Sequence, residues 1–429
     1  METPTKRQNG FEAKEFAKPQ ENPGSEIPPA PGQSPFKGLQ CFEVADADLF
    51  FGREVLTAQL IAHLRQQPFL AVVGASGSGK SSLVRAGVVS AIQRGEKLID
   101  GASPPEGSAS WPVHMITPST HPLEGLALSV TQTDSALATT STLMDDMRRD
   151  PRSLHLYLRK LISGGDLLHR PRQALLVIDQ FEEVFTLCHD KAERQAFIDN
   201  LLIAVNPALT QPTETSPTDT PTTLRIGTES RTRGGSATVI ITLRADFYAN
   251  CAESATLRTA LERWQKFIGP MSPQEIRRAI EEPARRTGWN FEPGLVDMFV
   301  QDVGSEPGAL PLLSHALLET WQRRSGRTMT VAGYMAAGRV QGAIAKTAES
   351  VYKDHFTQEQ QRIAQSIFLR LTELGEGAQD TRRRVPFAEL IPRLEEMPQV
   401  EEVLGALVDA RLLTTSEGAV EVAHEALIR

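Results

Sequence analysis

PFLAVVGASGSGKSSLVRAGVVSAI, residues Pro68 to Ile92, is the stretch that decides the fold. It opens on a short apolar run with no polar alternation, the pattern of a strand buried on both faces. It closes on a segment that puts Leu83, Val84, Val88 and Ile92 on one face of a helix. Between the two lies GASGSGKS, from Gly74 to Ser81, whose glycines let backbone N–H groups converge on phosphate oxygens. The helix begun at Lys80 adds its partial positive end to the same spot. A plain Gly/Ser turn has a similar composition, but this eight-residue match sits in the order the chemistry requires, strand, loop, helix.

Working outward, WPVHMITPS from Trp111 reads as a second strand and PLEGLALSV as the helix behind it. Leu175 to Ile178 in QALLVIDQFEEVF reads as a third strand, and Thr238 to Leu243 in SATVIITLRADFY as a fourth. Strands alternating with helices predict an α/β fold, a P-loop NTPase parallel sheet with helices on both faces. After Pro270 the pattern becomes helical, in SPQEIRRAIEEPARR, PGLVDMFVQDV and ALPLLSHALLETWQRR. Further on, two amphipathic helices, QRIAQSIFLRLTEL and VEEVLGALVDARLL, precede an alternating hairpin pattern in LLTTSEGAVEVAH, the order found in a winged helix. The expected organisation is a disordered tail over 1–35, an NTPase core over 36–270 with a disordered insertion at 206–236, a helical domain over 271–340 and a winged-helix domain over 341–429. EALIR stands inside what reads as a helix turn without a C-cap signal, the expectation being a fragment or a shortened parent.

The phosphate cradle assigns candidate roles. Gly74, Ser76, Gly77, Ser78, Gly79 and Ser82 line the nucleotide, Lys80 reaches the β and γ phosphates, and Ser81 ligates Mg²⁺. Four apolar residues deliver Asp179 to the C-terminal edge of the third strand, where ligands bind in such sheets, so Asp179 is the expected second metal ligand. Glu182 and Glu183 are candidates to polarise an attacking water, or else the solvated acidic start of a helix. Gln180 takes the slot that a Glu holds in many motor ATPases. Arg244 ends the fourth strand, where it either senses the terminal phosphate or pairs with Asp246. Arg53, in FGRE ahead of the loop, is a weak candidate for the adenine end.

Composition narrows the class. With 429 residues the chain exceeds a single core, and 40% apolar with 23% charged residues is ordinary for a soluble protein. No apolar run approaches the roughly 18 residues of a membrane span, and the first residues lack the apolar core of a secretory signal, so a cytoplasmic location is expected. Cys41, Cys188 and Cys251 form no CxxC pair and read as buried structural cysteines. A net charge of -8 gives no global attraction to nucleic acid.

In combination, FKGLQCFEVADADLFFGRE, GASGSGKSSLVRAG, LLVIDQFEEVF, ITLRADFY, GPMSPQEIRRAIEEPA, GALPLLSHAL and VAHEALIR resemble the STAND ATPases, in particular their bacterial branch, the novel STAND NTPases. The resemblance runs from Pro35 to Arg429. It implies an ATPase core, a helical domain and a winged helix that close around ATP or ADP with Mg²⁺. It implies that Pro311 packs against the adenine and that His424 touches the ADP phosphates. It further implies a slow switch, resting with ADP and self-associating after exchange for ATP. Members usually add an effector and a repeat sensor; neither is legible here, so a protein partner or a missing C-terminal repeat domain remains unidentified.

Other readings are an AAA-like remodelling ATPase, against which Gln180 counts, and a nucleotide-gated DNA-binding regulator using the basic run from Arg382 to Val385, which reads more simply as a solvated charge run. A small-molecule kinase is disfavoured by the long helical region behind the sheet.

Overall fold

Phe69–Gly74 is apolar at every position because both faces of the strand are covered. It forms β1, the second strand from one edge of a five-stranded sheet in the computed structural model. The structure describes residues 28–132, 137–163, 173–207, 235–304, 308–373, 381–383, 385–391, 397–410, 412–416, 419–423 and 427. Residues 1–27 of the expected tail, 208–234 of the expected insertion, and His424 lie outside the described residues.

The other strands are β2 (Val113–Ile116), β3 (Ala174–Ile178), β4 (Ala237–Arg244) and β5 (Gln265–Ile268). Their order is β2-β3-β4-β1-β5, and every neighbouring pair is parallel. The sequence reading missed β5. Its residues are mixed polar and apolar and only Ile268 is buried, as befits an edge strand. Alternation divides the sheet. Phe69, Ala71 and Val73 join Leu176, Ile178, Val239 and Ile241 in one core, while Leu70 and Val72 join Leu175, Val177 and Ile240 in the other. The first core is covered by helices that include Pro122–Thr131 and Lys191–Val205, the second by Glu54–Gln66 and the helix that follows the glycine loop. In that last helix Leu83, Val84, Val88 and Ile92 are all buried. Its segment Leu83–Val89 is wound as a π-helix between the α-helical Lys80–Ser82 and Ser90–Arg94, which the apolar spacing did not reveal.

Beyond the sheet, Pro273–Thr287 starts on a capping box, with Ser272 and Glu275 each bonding the other's backbone N–H, and with proline in its first turn. It packs with Leu295–Val303, Ala309–Gln322 and Val331–Ala337 around Ile280, Phe299, Leu313 and Tyr334. The end of the expected tail belongs to this core and corrects that expectation. The Ala30 N–H bonds the Gly326 carbonyl at 2.9 Å. Arg324 donates to the Ala30 carbonyl while its guanidinium lies 3.7 Å from the Trp321 ring centre and 4.7 Å from that of Trp289. Proline and glycine content marked this segment as unstructured because its partners lie almost three hundred residues away.

A further core gathers Ile367, Leu371, Val403, Leu407 and Val422. Around it stand the helices Gln358–Arg370 and Met397–Asp409 and the antiparallel hairpin of Leu413–Ser416 with Ala419–Val422. Among the described residues no helix is long and apolar enough to cross a membrane.

Burial ranks the strand residues. Leu176→Ala, at a position 1% exposed, is expected to cost about 2–5 kcal/mol. Phe267→Ser, at a position 67% exposed on the edge strand, is expected to stay within about 0.5 kcal/mol of the parent. Urea denaturation of the two variants measures both.

Candidate functional site

The loop after β1 turns by using two left-handed glycines, Gly77 (φ 68°) and Gly79 (φ 83°). At Gly77 the requirement is also steric, since a Cβ there would stand 3.0 Å from the Gly308 Cα and 3.1 Å from its carbonyl oxygen. The loop is thereby pressed against the start of helix Ala309–Gln322. Lys80 is buried and donates to the loop carbonyls of Gly74 (3.1 Å) and Ala75 (2.9 Å). Burial holds its ammonium below the usual lysine range, an effect that the nearby Glu182 opposes.

Asp179 follows β3 directly and is 3% exposed. Its Oδ1 accepts from Ser81 Oγ (2.8 Å), Thr242 Oγ1 (2.6 Å) and the Gln180 N–H (3.1 Å). Its Oδ2 accepts from Arg85 Nη2 (2.8 Å) and Nε (3.1 Å). Ser81 and Asp179 therefore present hard oxygen donors side by side at the end of the phosphate loop, a donor set that suits Mg²⁺. Gln180 has φ 54°, a conformation uncommon outside glycine and one that clusters at functional sites. The Phe181 N–H bonds the Thr242 carbonyl, so the chain turns back along β4.

That turn separates the two glutamates. Glu182 is 7% exposed, accepts the Arg244 N–H at 3.2 Å, and lines the cavity beside the loop. Glu183 opens the short helix Glu183–Thr186 and is not part of the cavity wall. Arg244 lies level with Gly74, because β4 neighbours β1. Its guanidinium is engaged by Asp246 at 2.7 and 3.1 Å, the pairing that competed with phosphate sensing. Arg53 is buried, donates to the Gly269 carbonyl at 3.0 Å, and faces the same cavity.

The cavity encloses about 260 Å³. Part of its lining is polar, formed by Ser76 to Ser82 with Glu182, Thr242 and Arg244. The rest includes the apolar side chains of Leu39, Phe50, Phe51, Met271, Pro311 and Leu317, of which Pro311 lies against the loop, its Cδ 3.3 Å from where a Cβ on Gly77 would stand. Polar groups of the kind that suit a phosphate tail and apolar ones of the kind that suit a flat base thus line one cavity. Ala423 also reaches the wall, although the neighbouring His424 is outside the described residues.

Cys41 lines the cavity as well. Burial pushes its thiol up to about 12, and it donates to Glu43 Oε1 at 3.1 Å. Cys188 and Cys251 are buried as expected, whereas Cys41 is only partly buried. Thr242 and Arg85 were missed by sequence reasoning. The one available signal was polarity out of place, a threonine inside the apolar run VIITL and an arginine between Val84 and Ala86.

The model of the family Novel STAND NTPase 1 matches residues 35–429. None of the curated proteins matches the chain. Among solved structures, the Walker-type ATPase of Pyrococcus abyssi is 12% identical, with a TM-score of 0.41 over 92% of this chain and 98% of that one. The ORC1 protein of Aeropyrum pernix, in complex with DNA, is 14% identical, with a TM-score of 0.42 over 88% and 90%. The RuvB Holliday junction branch migration motor of Thermotoga maritima is 11% identical, with a TM-score of 0.36 over 91% and 98%. Likenesses of that size carry no functional weight.

Burial pushes the Glu182 carboxyl above the usual glutamate range, more strongly than Lys80 and the Arg244 N–H pull it down. A carboxyl raised on folding holds its proton more tightly in the native state, so its ionisation lowers stability as pH rises. Glu182→Gln is therefore expected to melt above the parent near pH 8, with the gain fading as pH falls toward about 4.5. Melting curves across that window check it, and an equal gain at every pH would contradict it.

Proposed function

The chain belongs to the novel STAND NTPase 1 family, and on that premise we propose that it is a regulatory ATPase, a switch that binds ATP and ADP with Mg²⁺ and hydrolyses slowly. One observation carries the reading. The cavity at the glycine loop is walled at once by the segment before Arg53, by the sheet, by Pro311 of the helical region and by Ala423 of the C-terminal hairpin. A nucleotide held there touches four parts of the chain, and only a ligand with different affinities for two arrangements can shift their balance.

In this reading Lys80 carries the β and γ phosphates, and the amides and hydroxyls from Gly74 to Ser82 hold the rest of the tail. Ser81 and Asp179 hold the magnesium, which when bound neutralises phosphate charge. Pro311 and Arg53 serve the base end, and His424 the ADP phosphates. Glu182 rather than Glu183 orients the water, because Glu182 alone of the two faces the cavity. Three features favour a low rate. Gln180 stands in place of an acid, Glu182 is held toward its neutral form, and Arg244 is occupied by Asp246. Self-association after ATP uptake, a cytoplasmic location and a winged-helix identity for the C-terminal unit belong to the same proposal. Within the basic run that a DNA-gated role would use, Arg383 is paired with Glu389 at 3.0 Å.

Lys80→Ala is expected to weaken ATP binding on the order of 100-fold, from the loss of charge-assisted bonds to phosphate. Calorimetry on the folded variant measures this, and affinity equal to the parent's would remove the site. Single-turnover hydrolysis by the parent is expected on the order of 10⁻⁴ to 10⁻² s⁻¹, the range of P-loop switches. Turnover of many per second would argue for a motor instead.

A further inference from the structure

Arg85 is the one cation that touches Asp179 among the described residues, and it is shared. Two of its nitrogens, Nε and Nη2, bond Asp179 Oδ2, while Nη1 donates to Glu43 Oε1 at 2.6 Å. The two carboxylates differ in setting. The Asp179 side chain is 4% exposed, whereas that of Glu43 is 45% exposed. Arg85 stands four positions after Ser81 on the helix that follows the loop, and helical side chains lean toward the N-terminus. It therefore meets Asp179 on the same side as the Ser81 hydroxyl.

Glu43 is held for this contact by its own segment. Its N–H bonds Asp46 Oδ2 at 2.9 Å, Lys37 pairs with Asp46 at 3.0 Å, and the Phe42 N–H bonds Ser82 Oγ at 3.0 Å. The other charges around the site are Lys80, Glu182 and Arg244, the last paired with Asp246.

We propose that Arg85 is a positioning residue for the magnesium carboxylate, and that its division between Asp179 and Glu43 sets how much magnesium the bound nucleotide requires. The inference rests on the reading of Ser81 and Asp179 as metal-holding residues. A buried carboxylate with no counter-ion is costly, and Arg85 removes that cost while Asp179 serves no metal. The same guanidinium works against Asp179 when it does serve a divalent cation, because three positive charges then crowd one carboxylate. Arg85 must loosen its grip on Oδ2, and Glu43 keeps the freed guanidinium paired. The segment around Glu43 is thereby coupled to metal affinity without touching the metal.

The test uses the full chain, fluorescent ADP and ATP, and magnesium chloride titrations, with nucleotide binding in EDTA as the reference. Arg85→Met keeps the apolar stem and removes the competing charge, so the magnesium midpoint is expected to fall about three- to tenfold. Glu43→Gln leaves Arg85 with Asp179 as its only anion, so the midpoint is expected to rise about two- to fivefold. The double variant is expected to match Arg85→Met, since Glu43 reaches Asp179 through Arg85 and its other side-chain partner, the Cys41 thiol, is neutral. A merely structural role would weaken binding in EDTA equally and move both single variants the same way, and that result overturns the proposal. Should Arg85→Met fail to fold, Glu43→Gln at its half-exposed position still decides the sign. A parent whose nucleotide binding ignores magnesium removes the metal reading and this inference together. A parent that responds to magnesium, with Glu43→Gln unshifted or lowered, removes this inference alone.

Discussion

The carboxylate of Asp179 is the junction on which the site depends. It is all but excluded from water, and a lone buried charge would be expensive, so each of its oxygens has to be satisfied from a different direction. Ser81 and Arg85 approach from the helix after the glycine loop, Thr242 from the neighbouring strand β4, and the Gln180 N–H from the turn that follows. The loop, the β3 edge and the β4 edge are thus locked in one geometry. Lys80, Glu182 and the loop amides inherit their positions from it.

Around that junction the chain builds a cavity with two chemistries. The polar lining comes from the sheet edge, where parallel strands all present their C-terminal ends and the following helix presents its N-terminus. The apolar lining comes from elsewhere, from Phe50 and Phe51 ahead of the loop and from Met271, Pro311 and Leu317 beyond the sheet. The close approach of Gly308 to Gly77 shows how tightly the helical region seats on the loop, since a single added carbon at Gly77 would strike its backbone. A ligand that occupies this space is unavoidably in contact with parts of the chain far apart in sequence. On the proposed reading, that is how the chemistry of one phosphate is felt by the C-terminal hairpin.

The segment ahead of the loop is more than a strap. It carries Phe42 onto Ser82 and Glu43 onto Arg85, and further upstream Phe36 and Ala30 dock into the helical core. The same stretch of backbone therefore spans both sides of the cavity. This gives it the physical means to relate the spacing of those sides to the electrostatics around Asp179.

What could be read along the chain was whatever depends on near neighbours. The apolar runs Phe69 to Gly74 and Leu175 to Ile178, the helical period of Leu83, Val84, Val88 and Ile92, and the glycine spacing of the loop all declare themselves within a few residues, because strand, helix and turn are local geometries. They were enough for the parallel sheet, for its helical covering, and for the candidates Lys80, Ser81 and Asp179. The edge strand Gln265–Ile268 escaped because one covered face and mixed polarity leave little periodicity. Which of Glu182 and Glu183 faces the cavity depended on the left-handed turn at Gln180, which no residue type announces. The pairing of Arg85 with Asp179 and Glu43, the support from Thr242 and the docking of Ala30 were decided only by tertiary structure. Each joins residues tens to hundreds of positions apart, and a contact made by strand order and packing leaves no periodic trace in the chain.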